Sequence, residues 1–290
     1  MRDIREKLSI IRGVIDHANR HDNQLYLLLT DISKAFDSVP HNAIRAAYEF
    51  FGFPQGVVEL VSNMVTDNHA RVLATTLSRR FPMGKGTRQG DSLSPTTYVL
   101  VHQLVLLYVR DRMKGYSTGR RRLWNAAYVD DCNLFSDSKK DIERGANAMH
   151  TVLSHLKMTM HPDKLELYVR RMDDEDGESN IRVAGKVVPA RDRATYFRAL
   201  GLYTNLKGAT ERQQQQAWDK AQCVTARLKV MRLTARQAAR MVNCCIHPIF
   251  TYASEFTKWT KGWVDRVNSL GRKVIKHGSM AMKRFPTELL

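Results

Sequence analysis

Asp130 and Asp131 stand side by side inside an apolar run, Ala126-Ala127-Tyr128-Val129-Asp130-Asp131-Cys132-Asn133-Leu134-Phe135. A carboxylate is costly to bury unless it is paired or holds a cation. Two adjacent acids flanked by strand formers therefore read as the tip of a β-hairpin that presents oxygen ligands. A third acid, Asp31, closes another apolar run, Leu25-Tyr26-Leu27-Leu28-Leu29-Thr30. Carboxylates mounted on strand ends suit a pair of divalent cations supporting in-line attack on a phosphate. Side chains alternate along a strand, so one of the two adjacent acids should face the cations more directly. Asp130 is assigned that place, with Asp131 on a second ion or acting through water. The backbone carbonyl of Ile32 adds a hard oxygen of the kind Mg²⁺ prefers. Taken alone, Asp31 reads more readily as a helix or turn cap than as a ligand. A further Asp-Asp pair, Asp173-Asp174, lacks apolar flanks and reads as part of a solvated turn.

Between the acid segments lies Thr87-Arg88-Gln89-Gly90-Asp91-Ser92-Leu93-Ser94-Pro95. Gly90 permits close backbone approach to a base or sugar. Gln89 can both donate and accept, and Arg88 can grip a phosphate. A helix starting at Ser94 would add partial positive charge. In isolation this segment is an ordinary helix start.

The elements that must position these groups are legible from spacing. Leu8, Ile11, Val14, Ile15 and Ala18 recur at helical intervals, so residues 4–20 form an amphipathic helix. Residues 25–30 read as a buried strand, 41–51 and 56–65 as helices parted by Gly52-Phe53-Pro54, and 70–76 with 79–83 as a hairpin. Ser94-Pro95 opens a helix to about Met113, with Ser as cap and Pro in the first turn. After the hairpin at 126–136 come a helix at 140–156 and strands at 165–170, 181–188 and 196–203. From Lys207 onward the pattern is helical only, and Gln213–Gln216 reads as an exposed helix face.

Net charge is +17, and residues 207–290 hold 16 Lys and Arg against 5 Asp and Glu. Such a basic segment points to a polyanionic partner, most often nucleic acid, or else to a solvated basic surface. The apolar stretches fall short of the roughly 20 residues of a membrane span, and no signal-type core follows the N-terminus. The cysteines Cys132, Cys223, Cys244 and Cys245 form no C-x-x-C pair, so a disulfide framework or zinc knuckle is not expected. A reducing intracellular setting, nuclear or cytoplasmic, follows.

Together these segments resemble the reverse transcriptase domain of non-LTR (LINE-like) retrotransposons. Motif A of that family resembles Leu29 to His41, motif B resembles Arg88 to Pro95, and motif C resembles Tyr128-Val129-Asp130-Asp131, in the family's order. The resemblance covers about residues 5–205 and reaches the tail loosely. It implies an α+β polymerase palm over residues 1–206, an antiparallel sheet with helices packed on one face, followed by an all-helical, basic, thumb-like region over 207–290. It implies that Asp31, Asp130 and Asp131 bind two Mg²⁺ ions, with Mn²⁺ as a substitute. By the same resemblance Phe36 is a sugar gate whose ring would clash with a ribose 2′-OH, although without the motif it would read equally as a core aromatic. Gln89 and Gly90 would line the incoming nucleotide and template, and Leu200-Gly201 would be the primer grip.

Lys164 resembles the motif D lysine, which protonates or neutralises the leaving pyrophosphate. Here His161 and Leu165 stand where the family has an Asn and a small hydroxyl residue, so an exposed turn lysine is the competing reading. The implied partners are an RNA template, a DNA or RNA primer and deoxynucleoside triphosphates, with no membrane. Only about 30 residues precede Asp31, so the chain is expected to be palm and thumb of a longer element, with fingers largely absent. In the thumb-like region Arg212, Lys220, Arg227, Arg232, Arg236, Arg240 and Lys261 would track a duplex backbone, and Trp218, Trp259 and Trp263 would pack helices. Two other readings remain: a nucleic-acid-binding remnant without catalysis, and an intron-maturase-type or RNA-copying polymerase sharing the palm.

Overall fold

The apolar spacing at the start of the chain becomes helix α1, Ile4–Arg20, with Leu8, Ile11, Val14, Ile15 and Ala18 buried. The computed structural model describes residues 4–278 apart from 67, 89, 173–178 and 232, so the Asp173–Glu178 turn, Gln89 and Arg232 lie outside the described residues. After α1 comes strand β1, Tyr26–Thr30, then the two-residue β2, Ile32–Ser33. Lys34 takes a left-handed conformation (φ 48°) and turns the chain into the single-turn helix α2, Ala35–Ser38. Helices α3, His41–Phe50, and α4, Gln55–Val65, each follow a proline, Pro40 and Pro54, whose fixed φ suits a helix entry. Gly52 (φ 73°) ends the first of them.

The expected hairpin over 70–83 is reduced to β3, His69–Ala70, paired with β4, Phe81–Pro82, and a bridge between Leu73 and Leu77. Val72, Leu73 and Leu77 are exposed, so no apolar surface holds a longer ladder. Helix α5 runs Ser94–Arg110. Ser94 is its first residue and not its cap; Leu93 N–H instead donates to Asp91 Oδ1 at 2.9 Å. A short pair, β5 (Tyr116–Ser117) and β6 (Arg122–Leu123), leads to β7 (Asn125–Tyr128) and β8 (Asp131–Ser136). Helix α6, Lys139–His155, β9, Thr159–Met160, and a 3₁₀ turn at Pro162–Lys164 follow. The first unit closes with β10 (Glu166–Val169), β11 (Ile181–Val183), β12 (Lys186–Val188) and β13 (Ala190–Asp192).

Five of these strands form one sheet in the order β13-β10-β1-β8-β7. Its register sets Leu28 opposite both Leu134 and Leu167, and Leu27 opposite both Phe135 and Tyr168. Two expectations need correction. The sheet is not wholly antiparallel, because β13 joins β10 in parallel; the β11–β12 hairpin intervenes and returns the chain in the same direction. Nor is packing confined to one face: Leu28, Leu134 and Leu167 share a core with residues of α3 to α6, while Leu27, Phe135 and Tyr168 on the alternate face are equally buried. The strand read over 181–188 is a hairpin, because Ala184-Gly185 turns with both residues at positive φ.

The chain divides into two compact units, Met1–Thr195 and Tyr196–Leu290. The division falls earlier than the composition suggested, because the segment read as one strand over 196–203 is a second hairpin, β14 (Phe197–Ala199) and β15 (Leu202–Thr204), that belongs with the helical unit. Gln213 is buried and not on an exposed face; its Oε1 accepts from Tyr203 N–H at 2.9 Å. Helices α7 (Glu211–Val230), α8 (Ala235–Met241), α9 (His247–Thr251) and α10 (Lys261–Gly278) complete this unit, with a π-helical segment, Val242–Ile246, before α9. Its core includes Ala217, Ala221, Leu228, Val242, Ile246 and Leu270, with Trp218 and Trp259 packed against it.

Asp141 in the first turn of α6 ties three pieces of the first unit together. It accepts from Lys114 and Gly115 N–H at 2.9 and 2.8 Å, from Ser136 Oγ at 2.9 Å and from Arg144 at 2.6 Å. Burial alone would raise its pKa; these donors outweigh burial and hold it below the ordinary 3.8. A depressed folded-state pKa gives stability that is present above the unfolded value and lost as pH falls through the folded one. Asp141→Asn is therefore expected to cost about 1–3 kcal/mol at neutral pH. Urea melts at a series of pH values should also show a shallower acid-side loss of stability than in the unsubstituted chain.

Candidate active site

Strand β1 is the centre of the sheet, and its last pairing with β8 sets Thr30 opposite Cys132, reinforced by Thr30 Oγ1 donating to Cys132 O at 2.9 Å. The residues one step beyond are Asp31 and Asp131, which this register brings side by side at one end of the sheet. Tyr128 pairs with Asp131 across the β7–β8 hairpin, so Val129 and Asp130 are its two turn residues. Val129 sits at φ 56°, a conformation that disfavours a β-branched residue and costs on the order of 1–3 kcal/mol. The turn leaves Asp130 exposed at the tip.

An aromatic stack supports this turn from below. Phe36 of α2 lies on Tyr98 of α5 at 4.8 Å between ring centroids, and Tyr98 lies on His102 at 5.6 Å. His102 is buried, with its Nε2 unpartnered among the described residues; burial, the larger effect, outweighs the opposing influence of the Val129 backbone and brings its pKa down to about 4. It is therefore a neutral imidazole at physiological pH. Tyr98 is fully buried, with its hydroxyl unpartnered among the described residues. Burial first, and then the charge of Asp130, push that hydroxyl far above the ordinary phenol range. The ring of Phe36, the phenol of Tyr98 and the carboxylate of Asp130 thus belong to one site.

The segment leading to Gly90 is fastened to α2 by main-chain bonds. Gly86 N–H donates to Val39 O at 2.7 Å and Thr87 N–H to Phe36 O at 2.9 Å. His41 Nε2 lies 3.2 Å from Gly86 O. Gly86 has φ 89°, and a Cβ there would meet Asp37 O at 2.7 Å. Arg88 is exposed and donates to the Asn68 side chain, and Gly90 (φ 93°) faces open space.

The charges near the three acids are mostly positive. Asp31 Oδ2 is 3.1 Å from Lys164 Nζ, both about half exposed. Asp31 and Lys164 line a solvent-open cleft of about 950 Å³ with Lys34, Lys85, Lys157 and His161. Asp131 Oδ1 is held at 2.6 Å by the buried Lys7 of α1. Among the described residues, no three His, Cys, Asp or Glu side chains cluster as a metal-binding group. Asp31, Asp130, Asp131 and the carbonyl of Ile32 are all hard oxygen donors, the chemistry Mg²⁺ and Mn²⁺ require, so the donor set fits a divalent cation. Asp31 and Asp131 now point at ammonium groups, which balance the carboxylate charge that a cation would otherwise balance.

Asp31, Phe36, Asp130, Asp131 and Lys164 are thus gathered around one end of the sheet; Ile32 follows Asp31 in β2 and pairs with Met160. Leu200-Gly201 forms the β14–β15 turn in the helical unit, with φ of 46° and 85°. Sequence reading passed over Lys7, Gly86, Tyr98 and His102. Lys7 could have been noticed as a charge on the apolar side of α1. Tyr98 and His102 are spaced to share a face of α5. Gly86 gave no sequence signal, since its role depends on α2 packing against it.

A central acid-bearing strand beside an acid-tipped hairpin is a polymerase palm arrangement, and comparison with known proteins agrees. Residues 1–205 match the reverse transcriptase (RNA-dependent DNA polymerase) family, and the chain belongs to that family. It is 28% identical over 160 residues to the Pol polyprotein of the type-2 retrotransposable element R2DM of Drosophila melanogaster, covering 55% of this chain and 15% of that protein. It is 30% identical over 139 residues to an R2 Pol polyprotein of Popillia japonica, covering 46% of this chain and 22% of the relative. The chain therefore spans less than a quarter of the length of these relatives. Among solved structures, apo telomerase from Candida tropicalis truncated from its C-terminal domain superposes with a TM-score of 0.51 at 13% identity, covering 71% of this chain and 39% of that one. At that identity the likeness is one of fold. No described helix is long and apolar enough to cross a membrane.

Gly86→Ala and Gly90→Ala should separate backbone strain from steric clash. Both place a side chain at positive φ, at a cost of about 1 kcal/mol, but only Gly86→Ala also drives a methyl into Asp37 O. Chemical denaturation is expected to show Gly86→Ala destabilised by about 2 kcal/mol or more, and clearly more than Gly90→Ala.

Proposed function

We propose that this chain carries the polymerising site of an RNA-directed DNA polymerase, which joins a primer 3′-OH to the α-phosphate of a deoxynucleoside triphosphate on an RNA template and releases pyrophosphate. The observation that carries this reading is the meeting of Asp31, the Val129-Asp130 turn and the Phe36–Tyr98 stack at one end of the sheet. Asp31 and Asp130, with the Ile32 carbonyl and Asp131 as third acid, would hold two Mg²⁺ ions. Such ions, when bound, acidify the attacking hydroxyl and offset the charge that builds on the phosphate oxygens.

The chain's own residues do the rest. The cleft lysines Lys34, Lys85 and Lys157 draw the polyphosphate toward Asp31. Lys164, already beside Asp31, neutralises or protonates the departing pyrophosphate. Phe36 is backed by Tyr98, so its ring cannot retreat from a ribose 2′-OH without disturbing a buried stack. Arg88, Gln89 and Gly90 would contact the template and the incoming nucleotide. On the helical unit Arg212, Lys220, Arg227, Arg236, Arg240 and Lys261 are exposed and would follow the duplex backbone.

A second reading, nucleic-acid binding without catalysis, is favoured by one observation: two of the acids hold lysines, and no three-acid cluster is formed among the described residues. Primer extension on an RNA template with Mg²⁺ separates the two readings. The unsubstituted chain is expected to extend, and Asp130→Asn to fall by about 100-fold or more. Equal extension by both would remove Asp130 from the site. Salt-sensitive duplex binding without incorporation would favour the second reading.

Replacing Phe36 by Ala is expected to lower the preference for deoxynucleotides over ribonucleotides by about tenfold or more. Competition between the two triphosphates in the extension assay measures it, and an unchanged ratio would remove Phe36 from sugar selection.

A further inference from the structure

Tyr98 is the middle ring of three. Phe36 stacks on it at 4.8 Å between centroids with the planes 28° apart, and His102 stacks on it at 5.6 Å and 23°. Tyr98 and His102 stand four residues apart on α5, a spacing that places side chains on one helix face. Both separations fall in the range that aromatic pairs favour. Phe36 and His102 make no ring contact with each other among the described residues. Tyr98 is 0% exposed and His102 4%, whereas Phe36 is half-buried, so only Phe36 can meet a nucleotide.

Packing is what fixes the two inner rings. The Tyr98 hydroxyl has no hydrogen-bond partner among the described residues, and neither has Nε2 of His102. A buried polar atom without a partner is destabilising, and an apolar side chain at either position would avoid that cost. The main chain of Phe36 is already tied, its carbonyl accepting from Thr87 N–H at 2.9 Å. The freedom left to Phe36 therefore lies in its side chain. A ring pushed inward meets Tyr98, and the next ring behind Tyr98 is His102. We propose that His102 is a positioning residue for sugar selection: without touching the nucleotide, its flat face braces Tyr98, and through Tyr98 the Phe36 ring, against the push of a ribose 2′-OH. This rests on the reading of Phe36 as the sugar-selecting ring, but the bracing itself does not.

The test compares His102→Leu, which loses the flat face, with His102→Phe, which keeps it; Phe36→Ala is the comparator. Two quantities are read. One is kcat/KM for deoxy- and ribonucleoside triphosphates on the same RNA template. The other is the fluorine line width of 4-fluorophenylalanine incorporated at Phe36, which needs no catalysis. His102→Leu is expected to lower the deoxy-to-ribo preference by about threefold or more, through a rise in kcat/KM for the ribonucleotide, and to narrow the fluorine line. A merely structural loss would lower both kcat/KM values together. His102→Phe should keep the preference within about twofold and leave the line broad. Tyr98→Phe removes only the unpartnered hydroxyl, so it should raise Tm by about 2–4 °C and leave the line broad.

A folded His102→Leu with unchanged preference and line width, beside a Phe36→Ala that relaxes the preference, would overturn the inference alone. So would a His102→Phe that relaxes it as far as His102→Leu does, or a Tyr98→Phe that lowers Tm and narrows the line. An unchanged preference in Phe36→Ala would remove the sugar-selecting ring and the inference with it. Should His102→Leu not fold, His102→Met, equally without a flat face, carries the same expectations. Absence of extension by the unsubstituted chain would count against the polymerase reading, and the fluorine line then decides on the bracing: narrowing in His102→Leu supports it, and an unchanged line overturns it.

Discussion

The site depends on the antiparallel pairing of β1 with β8. Every residue of β1 is matched across this ladder, from Tyr26 opposite Ser136 to Thr30 opposite Cys132, and Tyr26, Leu27 and Leu28 are buried, on both faces of the sheet. A slip of one residue would exchange the two faces and put Leu27 where Leu28 belongs. Because both faces are filled with differently shaped neighbours, that slip is blocked by packing from two sides. The position of Asp31 relative to the hairpin is thus set by hydrophobic contacts along the strand.

Around that ladder the fold places opposing demands. The hairpin turn must expose an acid, yet the strands beside it are buried. Val129 absorbs part of the conflict as backbone strain, and the buried His102 of α5 lies close enough to the Val129 backbone to feel it electrostatically. The same helix supplies Tyr98 to back Phe36. One apolar helix therefore lies behind both the acid-bearing turn and the ring proposed to select the sugar, so a rearrangement of α5 would disturb both together.

Much of this was legible from residue order. The stripe of α1 and the acid-tipped hairpin both follow from where apolar residues stand relative to charged ones, and the structure has them as Ile4–Arg20 and as β7–β8. What was not legible has physical causes. The Ala184-Gly185 and Leu200-Gly201 turns carry no Asn or Asp to announce them, so each hairpin read as one strand. β13 is short and polar, and its parallel partner is distant in the chain. Lys7 and Gln213 are buried because each meets a specific partner, Asp131 and the Tyr203 N–H; polarity alone argues for exposure. In the site, the acids were visible by type, but their present pairing with lysines is a property of three-dimensional proximity.

The fastening of residues 86–87 to residues 36–39 is made of main-chain groups, Gly86 N–H to Val39 O and Thr87 N–H to Phe36 O. Such bonds ignore the identity of most side chains. The two segments can therefore drift widely in composition over evolutionary time and remain locked in step, provided the left-handed glycine stays. Their tolerance to a change in loop length is the opposite. Adding or deleting one residue between Gly86 and Arg88 would shift every donor off its acceptor, so this is a stretch where indels should be purged while point changes persist.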